Sequence, residues 1–304
     1  MTSVMQKDAL IEQCMTKAAA ALKSGDLDKF YELFRLRKKL YLASFKELDY
    51  EKMSEFISSF SFENKEKSLE LESVVYKALK DELKPSTNPQ VFVLGGQSGA
   101  SKACAISQIL AFCDAIIINS DDFRRFAPCY DEVKGAFDVA ELTQSFASAL
   151  ANSVIKMAIN ERLNVIIEGT FRTTSTPLST LELFKGYALN IAIMATSASE
   201  SRKNILERFI LQSKEHARYT KPSTHDYIIS VLAKNAKEVY EKSGAKLSIY
   251  DYEGLLASFD KVGFGDEIQS IIEEKLKLSE YEKNKEFFEK NEQETLKNMG
   301  YLLE

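Results

Sequence analysis

Four short stretches combine residue types that could handle phosphate. GGQSGASK (95–102) ends an apolar run and leads into the helical string ACAISQIL. The standard phosphate loop reads G-x-x-x-x-G-K-[ST]. Here Gly96 opens the loop and Lys102 keeps the cation, while Ser101 replaces the second glycine and Ala103 the hydroxyl residue. Backbone N–H groups along Gly96, Gln97, Ser98, Gly99, Ala100, Ser101, Lys102 and Ala103 could cradle phosphates at a helix start. Lys102 could reach the β- and γ-phosphates, but Ala103 offers no oxygen to Mg2+. A plain Gly-rich turn between strand and helix accounts for the same string.

SDDFRRF (120–126) follows the next apolar run, with Asp121 standing 19 residues after Lys102. A carboxylate at that place could take the proton of an acceptor hydroxyl; alternatively Ser120 or Asp121 caps the following helix. In EGTFRTT (168–174), Glu168 closes an apolar strand, which is costly unless it meets a ligand, metal or cation. Thr170, Arg172, Thr173 and Thr174 add donors suited to a sugar or phosphate, although a structural strand end with a surface arginine would look the same. Finally, LERFILQSKEHARYTKPSTHD (206–226) carries Arg208, Lys214, Arg218 and Lys221. Such a segment could fold over a transferring phosphoryl group, where charge develops. A solvated helix face is the alternative.

The elements that must position these residues are legible as texture. VFVLGG (91–96), AIIINS (115–120), NVIIEGT (164–170), NIAIMAT (190–196) and KLSIYD (246–251) read as short buried strands. Helix-length amphipathic stretches lie between them, including 139–163 as one helix. That alternation predicts an α/β fold, a parallel sheet flanked by helices on both faces. Ligands in such sheets bind beyond the carboxyl ends of the strands, where the first three stretches stand.

Before the sheet, residues 1–84 read as a helical module, with apolar residues at helical spacing: Leu10, Cys14, Ala18, Leu22, then Leu71, Val74, Val75, Leu79. Gly25 and Asp26 read as a C-cap running into an N-cap, and 58–67 as a loop. KPSTNPQ (84–90) marks a boundary. The expected organisation is a helical module at 1–84, a core at 89–262 and charged helices at 263–304. Ile268, Ile272 and Leu276 form the one packed stripe of that tail.

Composition removes whole classes. With 12 Gly and 5 Pro in 304 residues, collagen-like and Pro-rich disordered chains are excluded. Lys7, Asp8, Glu12 and Lys17 interrupt the apolar start, so neither signal peptide nor membrane span is expected. Cys14, Cys104, Cys113 and Cys129 show no framework spacing, which fits reduced thiols and a cytoplasmic address. The net charge is −5, and residues 266–304 carry 11 acidic against 6 basic side chains, so the remainder is about neutral. No broad positive field for nucleic acid is present. His216 and His225 share one polar stretch, which leaves no multi-histidine metal site and only that stretch to supply the base of a Ser-His-Asp hydrolase.

The order GGQSGASK, SDDF, IIEGTFRTT, then ERF…HAR resembles the zeta-toxin family of P-loop kinases over about residues 89–255. That family shows GGQPGSGK-like, D-x-F and IEGT-x-RTT strings followed by two arginines. The resemblance implies a P-loop kinase-like fold and ATP-dependent phosphorylation of UDP-N-acetylglucosamine, within a toxin–antitoxin system. It makes Lys102 the phosphate ligand and Asp121 the base. Glu168, Thr170, Arg172 and Thr180 would hold the nucleotide sugar, and Arg208 and Arg218 would stabilise the phosphoryl group. A family carboxylate about sixteen residues before the EGT glutamate appears as Asn152, which can hydrogen-bond a sugar but carries no charge. The helices of 1–84 lie outside the resemblance. It implies a helical antitoxin, acting in trans or supplied in cis by these helices; the alternative is that they are a structural extension of the core. Another nucleotide or hydroxylated metabolite as acceptor, and a degenerate nucleotide binder without catalysis, are the alternatives; Ala103 is the chief support of the second.

Overall fold

The computed structural model describes residues 3–44, 48–61, 70–134, 139–211 and 219–299. Six strands form one sheet: β1 (Gln90–Gly95), β2 (Ile116–Asn119), β3 (Val165–Glu168), β4 (Ala188–Met194), β5 (Lys246–Tyr250) and β6 (Leu255–Phe259), in the order β2-β3-β1-β4-β5-β6. The first five are parallel and β6 runs antiparallel to β5. The chain leaves β1 toward β2, returns through β3 and crosses to β4 on the other side. The order therefore switches beside β1, where such sheets open a crevice. Register brings the motifs together, because Leu94 and Asn119 both pair with Glu168.

Four helices precede the sheet: α1 (Ser3–Lys23), α2 (Leu27–Leu42), α3 (Tyr50–Ser58) and α4 (Leu71–Lys80). Gly25 takes φ 73° and the Asp26 carboxylate accepts from the Lys29 amide, the cap-to-cap turn that the sequence predicts. Between the strands lie α5 (Ala103–Leu110), α6 (Ser120–Phe123), a 3-10 turn (Arg124–Phe126), α7 (Tyr130–Val133), α8 (Val139–Leu142), α9 (Gln144–Asn160), α10 (Ser175–Leu183), α11 (Ala198–Leu211) and α12 (Pro222–Ser243). The chain ends in α13 (Gly265–Leu276) and α14 (Leu278–Asn298). None of the described helices is long and apolar enough to cross a membrane.

Three local expectations change. The helix expected over 139–163 divides at Thr143, whose hydroxyl donates to the Val139 carbonyl at 2.6 Å; such back-bonding bends helices. LLASF forms the edge strand β6, unmarked in sequence because Leu255 and Leu256 are exposed and no alternation appears. Neither Ser120 nor Asp121 caps α6. Asn119 does, its side-chain oxygen accepting from the Asp121 amide at 3.0 Å.

One continuous apolar core runs from Leu10 and Phe30 through Val91 and Ile166 to Ile272 and Tyr281. The helices of 1–84 thus share a core with the sheet. Two ion pairs reinforce the joint, a buried one between Arg37 of α2 and Asp122 at 2.5 Å and a partly buried one between Glu12 of α1 and Arg125. Lys7 is fully buried, and its ammonium donates to the Tyr41 and Ala43 carbonyls and to the Ser107 hydroxyl of α5.

Candidate active site

GGQSGASK forms the turn from β1 into α5. Its backbone is held from outside, by Thr196 Oγ1 donating to the Ala100 carbonyl (3.0 Å) and Asn204 Nδ2 to the Gly99 carbonyl (2.9 Å). Gly99 has φ 75°, and a Cβ there would stand 2.1 Å from the Ser201 carbonyl oxygen. The close approach of α11 therefore requires glycine. Ser101, at the place of the usual second glycine, takes a left-handed φ of 61°, a strain that persists only where surroundings impose it. Ser98, Gly99, Ser101, Lys102 and Ala103 line the cleft. Gly96, Gln97 and Ala100 do not; the Gln97 side chain turns into the interior and is fully buried.

Lys102 Nζ rests 3.4 Å from the carbonyls of both Gly96 and Gln97, and 3.6 Å from Glu168 Oε1. The first-turn amides of α5 have no intrahelical acceptor, so they and Lys102 offer donors of the kind that phosphate oxygens accept from.

Glu168 ends β3 beside this lysine, and Asn119 Nδ2 donates to its second oxygen at 3.1 Å. Burial raises its carboxyl above the ordinary range, and the Lys102 charge opposes that shift. The costly strand-end charge has thus met a cation and an amide. Asp121 pairs with Arg124 Nε at 2.8 Å, and about a third of its side chain is exposed. Its neighbour Asp122 is buried against Arg37, so Asp121 is the more accessible carboxylate of the SDDF turn.

Thr170, Arg172, Thr180 and Asn152 line the same cleft as Glu168, and Arg208 reaches it from α11. Phe171 lies between the two donors with a left-handed φ of 55°. Its ring is buried where a Cβ on Gly95 would strike it at 2.4 Å, and Asn235 of α12 donates to its carbonyl at 2.8 Å. That anchored twist leaves Thr170 and Arg172 on the cleft. Arg218, like Lys214 and His216, lies outside the described residues. The whole cleft measures about 670 Å³.

Residues from the first two helices complete the lining: Asp8, Ile11 and Glu12 of α1, and Tyr41 of α2. Burial pushes the Asp8 carboxyl up to about 7, while the charges of Arg208 and Lys102 pull it back and those of Glu168 and Glu12 add to the rise. No motif announces these residues. The available signal is that the only two carboxylates of α1, Asp8 and Glu12, stand four apart, which places both on one face.

Among the described residues no group of three or more His, Cys, Asp or Glu side chains could hold a metal ion. Ala103 adds no oxygen. The side chains present do not fit a protein-built Mg2+ site.

Residues 75–261 match the zeta toxin family. Toxin PezT of Streptococcus pneumoniae is 34% identical over 167 residues, a match spanning 52% of this chain and 66% of that protein. Toxin zeta of Streptococcus pyogenes is 27% identical over 230 residues, 66% of this chain and 80% of the relative. A solved chain from the PezAT chromosomal toxin–antitoxin system of Streptococcus pneumoniae superposes with a TM-score of 0.53 at 24% identity, covering 69% of this chain and 96% of that one. This last likeness is one of fold. The family match takes in the sheet and all four strings singled out in the sequence, and by it the chain belongs to the zeta toxin family.

Proposed function

We propose that this protein is the toxin of a cytoplasmic toxin–antitoxin system, a kinase that phosphorylates a hydroxyl of UDP-N-acetylglucosamine with ATP. The observation that carries the reading is the meeting of Lys102, Asp121, Glu168 and Arg208 on one cleft at the carboxyl end of the sheet. Lys102 and the start of α5 bind the ATP phosphates. Asp121 takes the proton of the acceptor hydroxyl as its oxygen bonds to the γ-phosphorus. The bond from that phosphorus to the β–γ bridging oxygen breaks, and ADP leaves with the electron pair. Arg208, with Arg218, balances the charge spread over the transferring group. Glu168, Thr170, Arg172, Thr180 and Asn152 hold the nucleotide sugar. Mg2+ enters on the ATP phosphates rather than in a protein cage.

The helices of 1–84 act on this site as an antitoxin in cis. Asp8 supports this, because its carboxylate faces Lys102 and Arg208, where a phosphate group would bind. Ala103 favours a second reading, a nucleotide binder without catalysis. Incubating the protein with Mg-ATP and a panel of nucleotide sugars separates the two. A mass gain of one phosphate on UDP-N-acetylglucosamine supports the first reading, and a gain on a different acceptor keeps the kinase but changes its substrate. ATP binding with no product from any acceptor supports the second.

A further inference from the structure

Ser201, His225 and Asp226 have the residue types of a nucleophilic triad and stand in hydrogen-bonding order. Ser201 Oγ lies 2.8 Å from His225 Nε2, and His225 Nδ1 lies 3.2 Å from Asp226 Oδ1. Hydrolysis is excluded by burial, since neither Ser201 nor His225 has any exposed surface and no acyl group can reach the hydroxyl. The three residues are the middle of a longer chain. At one end Gln97 Nε2, inside the phosphate loop, reaches Ser201 Oγ at 3.3 Å and the Thr196 carbonyl at 2.6 Å. At the other, Tyr281 of α14 donates its hydroxyl to Asp226 Oδ1 at 2.7 Å, and Lys285 pairs with Oδ2 at 2.8 Å.

Geometry and neighbouring charge assign the proton order along this chain. Burial works to raise the Asp226 carboxyl, but hydrogen bonds from His225, Lys285 and Tyr281 hold it well below the usual range. Asp226 is therefore an ionised acceptor. Burial lowers His225, with the Arg202 cation acting in the same direction and Asp226 and Glu292 against it. A neutral imidazole facing that carboxylate carries its proton on Nδ1, which leaves Nε2 as a buried acceptor. Among the described residues the Ser201 hydroxyl stands ready to satisfy it, at a shorter distance than the competing Ala198 carbonyl at 3.1 Å. The Ser201 oxygen then accepts from Gln97. A second tie runs parallel, because Glu292 of α14 is buried against Arg202 of α11 and Tyr219.

We infer that His225 is a positioning residue for the phosphate loop, joining the C-terminal helix α14 to Gln97 through Ser201. The inference rests on GGQSGASK being the phosphate site. The loop holds left-handed backbone at Gly99 and Ser101, and the Gln97 carbonyl is one resting place of Lys102. Gln97, anchored at both donors of its amide, fixes the middle of that turn. Helix α14 lies beyond residues 75–261, so a segment outside the family match helps to set the geometry of the family's loop.

The test uses the full chain with Ser201→Ala, Tyr281→Phe, His225→Leu and His225→Gln. The first two delete one oxygen each and keep the packing. Hydrogen exchange of the 96–103 amides, read without nucleotide, should quicken about fivefold or more in Tyr281→Phe and Ser201→Ala, while β1 and β4 stay protected. The double variant should be no worse than the worse single one, since both cut the same chain. His225→Gln, which can still accept from Ser201, should recover most of the protection lost in His225→Leu. Titration with ATP should show weaker binding in the same rank order. Unchanged exchange at 96–103 in both oxygen deletions, or effects that simply add, would overturn the inference. Failure of the parent chain to bind ATP would count against the phosphate site, whereas the loop exchange still scores the chain of hydrogen bonds.

Discussion

Lys102, Asp121 and Ala103 carry separable burdens at the scale of single residues. Lys102 is the cation of the loop, and in the structure it rests on two backbone carbonyls and Glu168. Lys102→Ala should lower phosphoryl transfer about a hundredfold or more and weaken ATP binding; equal turnover in steady-state assays would place the phosphates elsewhere. Asp121→Asn keeps the shape and the contact with Arg124 yet cannot take a proton. Turnover should fall about a hundredfold with little change in the affinity of either substrate. Equal losses in both would assign Asp121 to positioning. Ala103→Thr should lower the Mg2+ concentration at half-maximal rate, because it supplies a hard oxygen at the start of α5. Lys102, Asp121, Glu168 and Arg208 were legible in the sequence because each stands just beyond an apolar strand or in a cationic helix that follows one. The inward turn of Gln97 was not. Its partners Thr196 and Ser201 are distant in sequence, and no local pattern records them.

Elements bring these side chains to one place through register and close approach. Glu168 pairs in register with both Leu94 and Asn119, so three strand ends open on the same crevice. The contact of α11 with the loop is tighter still. Gly99→Ala would set a Cβ 2.1 Å from the Ser201 carbonyl at a φ of 75°. Backbone must move, and the variant should lose about 2 kcal/mol or more in chemical denaturation; a loss well under 1 kcal/mol would mean that α11 yields freely. Five strands were legible because a parallel sheet covered on both faces demands short β-branched runs such as IIIN and VIIE. The sixth was hidden, since the exposed leucines of β6 satisfy no burial pattern. The break at Thr143 was hidden too. Its hydroxyl competes for a carbonyl in its own helix, which hydrophobic spacing does not report.

At the scale of the whole molecule, the decisive relation joins the first helices to the cleft. It was illegible because Asp8 comes from a helix that precedes the phosphate loop by some ninety positions and shares no motif with it. The same helices supply Arg37 and Glu12, the partners of buried Asp122 and Arg125, which closely follow Asp121. Deleting residues 1–84 would remove the partners of both charges and uncover part of the shared core to water. Such a truncation should be insoluble, so inhibition is better tested by Asp8→Asn. The Asp8 carboxyl is raised from 3.8 to about 7 by burial. Between those values the folded chain holds a proton that the unfolded chain releases, so stability falls as pH rises through this window and stays low above it. The variant has no such slope, and its advantage in thermal melts should be absent near about pH 4 and largest near about pH 8. Binding should follow the same sign. At about pH 8 the wild-type carboxylate opposes phosphate beside Lys102 and Arg208, and Asp8→Asn should bind ATP about tenfold more tightly. At about pH 6 the wild-type group is largely protonated and the two affinities should converge. Matching affinities at the higher pH would show that Asp8 leaves the phosphate site open, and α1 would then be a structural wall of the cleft rather than its inhibitor.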